Sequence, residues 1–143
     1  MLRIDQIDIS NKRILIRVDF NVPMSLDGQI KNSFRLDASL RTIQYCIDNN
    51  ASVVLMSHLG RPKGKGNGSL SLFPIIKYLK NKFKKSNVSF IEDCISKSSF
   101  KITSNLNNKD IVLLENLRYY DEELIDDNNF AHLLSKHGDI YIN

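Results

Sequence analysis

Three short polar groups in this chain have the residue types to do chemistry. Asp19 and Asn21 flank Phe20, His58 and Arg61 bracket Leu59 and Gly60, and Glu115, Asn116 and Arg118 close the third group. Each follows directly on a run of β-branched and aliphatic residues: RILIRVDF, SVVLM and DIVLL. Arg35 supplies a further guanidinium at the start of a helical stretch. In an extended chain Asp19 and Asn21 share one side with Phe20 opposite, so both could face one ligand hydroxyl. A guanidinium is a planar fork that matches carboxylate and phosphate oxygens. Three arginines and a histidine converging on one crevice predict a small, multiply charged anion. Plainer roles exist for each. Asp19 and Asn21 could cap a local turn, Arg118 could pair with Glu115, and a lone His58 is more often structural. Arg61, three residues beyond His58 in a turn, weighs for the ligand role.

Such residues need a frame that brings them together. Residues 13–20, 52–56, 88–91, 110–114 and 139–142 read as strands, and continuous apolar runs of this length suit strands buried on both faces. Residues 34–48 place Leu36, Leu40, Ile43 and Ile47 on one helical face. Residues 72–83 start a helix with Pro74 in the first turn and Ile75 or Ile76, Leu79 and Phe83 as its stripe. A last helix is expected over 122–136, with Phe130, Leu133 and Leu134 inward and Gly138 as its stop. Asp27-Gly28 marks residues 24–31 as a small hairpin excursion. The alternation predicts an α/β fold: a doubly wound, Rossmann-like three-layer sandwich with a mainly parallel sheet. In such sheets ligands bind beyond the carboxyl ends of the strands. Asp19, His58 and Arg118 must then share one rim.

Composition narrows the field. The chain has 143 residues, enough for one domain with a real core, and 42% hydrophobic with 25% charged residues is ordinary for a globular protein. Cys46 and Cys94 match no metal or redox spacing, so a reduced, cytoplasmic setting is the default, and no metal site is expected. Cys46 beside Ile47 reads as packing. No signal peptide or membrane-spanning run is seen. A net charge of +4 could suit nucleic acid, but acids are mixed among the bases and no aromatic-basic platform shows, so nucleic acid is not expected. Gly60 and Gly64 are one residue too close for a nucleotide phosphate loop, and Gly66 stands where Ser or Thr is needed. Residues 63–69 read instead as an exposed loop. His132 and His137 read as surface or cap residues, while Tyr119 and Tyr120 could be crevice walls or core.

Three longer segments carry a resemblance. RVDFNVP (residues 17–23), MSHLGRP (56–62) and LLENLRYY (113–120) are similar to signature segments of phosphoglycerate kinase, in that family's order and spacing. The resemblance covers essentially the whole chain and implies that residues 1–143 correspond to the family's N-terminal, substrate-binding domain, stopping before that domain's end. It implies that 3-phosphoglycerate is held by Asp19, Phe20 and Asn21 around its hydroxyl and carboxyl end. It implies that His58, Leu59, Gly60, Arg61 and Arg118 take the distal phosphate. Arg35 would lie nearest the transferred phosphoryl group and act catalytically by stabilising its charge, as such transfers require. The activity implied is phosphoryl transfer between 1,3-bisphosphoglycerate and ADP, giving 3-phosphoglycerate and ATP in glycolysis.

The match also has a boundary. In the family MgATP or MgADP is bound by a C-terminal domain across a cleft, and that domain is absent from this chain. Domain closure joins the two substrates, so this chain alone is expected to be inactive. The alternatives are a non-catalytic module binding a phosphorylated acid, or a degraded gene product. The full-length enzyme is expected to be a cytoplasmic monomer. Apolar sheet surface is expected to lie open beside the last strand.

Overall fold

Strong β-formers lie at the centre of the molecule. Strands β1 (Arg13–Arg17), β2 (Ser52–Met56), β3 (Val88–Ile91), β4 (Ile111–Leu114) and β5 (Ile140–Ile142) form one all-parallel sheet in the order β3-β4-β2-β1-β5. The computed structural model describes residues 2–143 apart from Leu26, Lys65 and Asn67. Helices α1 (Phe34–Asp48), α2 (Ile75–Lys82), α3 (Lys97–Ser104), α4 (Asp121–Leu124) and α5 (Asn128–Ser135) fill the connections. Strand alternation divides the core in two. Ile14, Ile16, Val53, Leu55, Ile111 and Leu113 pack with Leu36 and Ile43 of α1 and Ile75 and Leu79 of α2. Leu15, Val54, Met56, Val112 and Leu114 pack on the other face with Phe130 and Leu134 of α5. The crossovers through α1 and α2 step toward β3, and those through α3 and α5 step back. Reversing direction while keeping one crossover hand moves the helices to the opposite face, which makes the sheet doubly wound.

The sequence reading departs from the structure in four places. The first strand ends at Arg17 rather than residue 20: Val18 N–H still bonds to Met56 O, but Phe20 N–H turns to the Ser57 hydroxyl. The single helix expected over 122–136 is two, because Asp126 takes φ 53° and the Asp127 carboxylate caps α5 at Asn129 N–H. Helix α3 was not foreseen. Its KSSFKITS sequence has little apolar periodicity, and its buried residues are Ser99 and Thr103. Thr103 pairs with His137, which is fully buried rather than at the surface, while Ser99 bonds back to Ser96. Gly138 is needed for proximity: a Cβ there would stand 2.6 Å from Leu15 Cβ. The hairpin excursion is present, closed by the Met24–Ile30 bridge with Gly28 at φ 81°, although Leu26 lies outside the described residues.

Candidate functional site

The carboxyl ends of β4, β2 and β1 lie side by side, because the parallel register aligns Leu113 with Leu55 and Arg17 with Met56. The loops carrying Arg118, His58 and Asp19 therefore leave one rim of the sheet as neighbours. Cross-loop hydrogen bonds then hold them. Asn116, fully buried, donates through Nδ2 to Leu59 O (2.8 Å) and Leu70 O (2.9 Å), and its Oδ1 accepts from Leu59 N (3.2 Å) and Arg118 N (3.0 Å). Leu117 N–H donates to Ser57 O at 3.0 Å. The Glu115 carboxylate accepts from Ser71 Oγ (2.6 Å), Leu72 N (2.9 Å) and Asn116 N (2.7 Å). Glu115 thus serves the loop ahead of α2 and forms no ion pair with Arg118 among the described residues. A buried carboxylate bonded this fully is a frame element, since each of its bonds would be expensive to leave unmade.

The first loop is tied to the second. Gly60 N–H donates to Asn21 Oδ1 at 2.9 Å, and Gly60 sits at φ 63°, a conformation that favours glycine. The Asn21 amide NH2 makes no hydrogen bond among the described residues. Arg35, one residue into α1, donates to Asn21 O (3.0 Å) and meets Asp19 Oδ1 at 3.5 Å. Both side chains of that pair are more than half exposed, at 52% and 59%, so the contact orients more than it stabilises. Asn21, Val22, Pro23, Asn32, Phe34 and Arg35 line a cleft of about 350 Å³. Phe20 and Leu59 are buried in the core under α1 and α2, and their N–H groups are taken by Ser57 Oγ and Asn116 Oδ1, so both serve the frame.

His58 is half-buried, and its ring holds no hydrogen bond among the described residues. Burial lowers its pKa below the ordinary 6.5, and Arg118 and Arg17 push it the same way against Asp19 and Glu123. The balance favours the neutral imidazole, in a field that cations dominate. Arg118 has a buried Nε with no partner among the described residues. Arg61, three residues after His58, is exposed, again without a hydrogen bond or ion pair among the described residues. Unpaired donors around a cationic field are what an anion would satisfy.

Arg17 is the rim residue that sequence reading passed over. It ends β1 and pairs with Glu123 of α4. The rule that singled out the loops would have found it: a charge on the last residue of a buried strand stands at the same edge. A larger groove, of about 450 Å³, opens between β5 and α5, with Arg17 and Glu123 among its lining. Leu15, Met56, Phe130, Leu134 and Tyr141 line it, and Tyr141 is 54% exposed, so apolar surface is open beside the last strand. None of the sequence-predicted site residues borders that groove.

A family model described as phosphoglycerate kinase matches residues 4–143. Phosphoglycerate kinase of Prochlorococcus marinus (strain MIT 9515) is 45% identical over 140 residues, 98% of this chain and 35% of that protein. That of Elusimicrobium minutum (strain Pei191) is 44% identical over the same shares. Among solved structures, phosphoglycerate kinase from Pyrococcus horikoshii OT3 aligns with a TM-score of 0.86 at 29% identity, covering 100% of this chain and 36% of that one. That from Coxiella burnetii gives 0.84 at 33% identity, covering 98% and 34%. The chain thus spans about a third of the length of the relatives it matches. It belongs to the phosphoglycerate kinase family.

Proposed function

We propose that residues 1–143 form the acid-substrate half of a phosphoglycerate kinase, with the crevice at the ends of β1, β2 and β4 binding 3-phosphoglycerate or 1,3-bisphosphoglycerate. The observation that carries this is the donor set on one rim: the His58 ring lies in the field of Arg118, whose buried Nε is unpartnered among the described residues, with Asp19 and Asn21 close by and the exposed Arg61 three residues on from His58. His58, Arg61 and Arg118 would take the distal phosphate, while the Leu59 and Gly60 N–H groups, spent on Asn116 and Asn21, hold the loop in shape around it. Asp19 and the Asn21 amide would orient the hydroxyl and carboxyl end. Arg35 would face the acyl phosphate and offset the charge that spreads over its oxygens in transfer.

The family implies a nucleotide substrate, with MgATP or MgADP as its form. The residues of this chain do not fit one. Among the described residues no group of three or more His, Cys, Asp or Glu could hold a metal ion, and the glycine-lysine loop lacks phosphate-loop spacing. Nucleotide binding is therefore assigned to polypeptide this chain does not contain, and the chain alone should not turn over. The reading is tested by titrating the chain with 3-phosphoglycerate to millimolar concentration and following backbone amide resonances. Shifts at His58, Gly60 and Arg118 are expected. An unchanged spectrum there would remove the site.

A further inference from the structure

Positive charge is segregated along this chain. Of the twenty Lys and Arg, eight fall within residues 61–91, which hold no Asp or Glu; twelve bases face all sixteen acids elsewhere. Folding gathers part of that excess on α2 and the turn after it. Ile75, Ile76 and Leu79 take the buried face, which leaves Lys77, Lys80, Lys82, Lys84 and Lys85 exposed. Lys82 lies 5.6 Å from the centre of the Tyr78 ring and feels Asp37, which itself accepts from the Tyr78 hydroxyl. Lys77, Lys80, Lys84 and Lys85 have no ion pair among the described residues. Asp93, beyond the end of β3, is engaged by the Tyr120 hydroxyl at 2.7 Å.

An aromatic pair stands at the head of this surface. Phe73 is 59% exposed, and its ring meets Phe90 of the outer strand β3 edge-on, with centroids 5.4 Å apart and planes at 71°. Lys77 follows four residues later, in the first turn of α2. Phe90 holds Phe73 in place while much of the ring faces water. A stacking face flanked by unpaired cations is how sequence-tolerant proteins hold single strands: bases lie on the ring and phosphates on the lysines. A membrane surface would call for a broader apolar patch than this one ring.

We propose that Phe73, propped by Phe90, with Lys77 and Lys80 of α2 and Lys84 and Lys85 of the turn after it, form a binding surface for single-stranded nucleic acid. This runs against the expectation from sequence, where the two rings are far apart and no platform shows. It is independent of the acid-substrate crevice.

The test is fluorescence anisotropy of the intact chain with a labelled single-stranded oligothymidylate of about 15 nucleotides, repeated across salt concentrations. Four phosphate contacts predict a log–log salt slope of about −3. Lys80→Glu with Lys84→Glu should weaken binding at least about tenfold and flatten that slope. Phe73→Ala should weaken it about tenfold with the slope kept, while Phe73→Tyr binds as the parent does. Duplex of the same length should be indifferent to Phe73→Ala, and saturating 3-phosphoglycerate should leave oligonucleotide binding unchanged. Because Phe73 is largely exposed, its variants should retain the parent's circular dichroism and melting temperature. Equal losses on single strand and duplex, or none on either, would reduce the surface to a nonspecific cation patch. Preferential binding to phosphatidylserine vesicles, or no binding at low salt, would overturn the proposal.

Discussion

Two histidines in this molecule sit in opposite situations. His58 opens the crevice beyond β2, with no hydrogen bond to its ring among the described residues and arginines around it. His137 lies under the other face, where every ring atom has company. Its Nε2 meets Cys94 O at 2.6 Å, so that nitrogen carries the proton, and its Nδ1 accepts from Thr103 Oγ1 at 2.9 Å. Phe100 covers the ring, with centroids 4.8 Å apart. Burial lowers both pKa values, yet the consequences differ. A satisfied histidine locks α3, α5 and the loop after β3 to one another. An unsatisfied one in the field of Arg118 and its unpartnered Nε has bonding capacity left over. Burial alone does not separate structure from function; the hydrogen-bond inventory does.

The comparison breaks most visibly at the frame of the crevice. Asn116→Ala would strand Leu59 N–H and C=O, Leu70 C=O and Arg118 N–H in the interior, so urea unfolding should show a loss of about 3 kcal/mol or more. A loss under about 1 kcal/mol would mean that water takes its place. Next comes the ligand side. Arg118→Met should lower 3-phosphoglycerate affinity at least about tenfold, or about 1.4 kcal/mol, with little change in unfolding free energy. Parallel losses in both measurements would make Arg118 part of the frame.

His137 predicts a smaller, pH-dependent effect. Its folded pKa is below the unfolded value, so the native state binds fewer protons than the unfolded one. Stability should be complete above the ordinary histidine value of 6.5 and fall as pH drops below it. His137→Gln can keep both hydrogen bonds without titrating and should flatten that acid limb. His58→Gln should flatten it less, because that ring is partly solvated. An acid limb insensitive to both would place the titration elsewhere. For 3-phosphoglycerate the sign is different: an anion beside His58 favours the imidazolium, so affinity should rise as pH falls toward and below 6.5. Arg35→Ala is the mildest change, since its pair with Asp19 is exposed; melting should move by less than about 0.5 kcal/mol equivalent. In a full-length relative, alanine at the matching position should depress turnover far more than substrate affinity. Equal losses would make it a binding residue only.

Much of the site was legible in the linear chain for a simple reason. A strand buried on both faces must be apolar, so the polar residues just past its end are conspicuous, and parallel strands deliver them to one rim. Asp19, His58 and Arg118 follow that rule. Helix α3 did not declare itself, because its inward face is polar: Ser99 bonds back to Ser96 and Thr103 meets a buried imidazole, neither giving an apolar stripe. The break between α4 and α5 depends on one aspartate at positive φ, which a helical pattern passes over.

Local sequence thus determined the strands, the longest helix and the chemistry of the rim, because each depends on neighbours within a few residues. Tertiary structure alone decided which polar groups became frame and which stayed free. Glu115 and Asn116 look as reactive on paper as Arg118, yet partners 43 to 57 residues away consume the bonding capacity of the first two. Satisfaction of a donor or acceptor is a property of the folded environment, and no residue carries it in its own type.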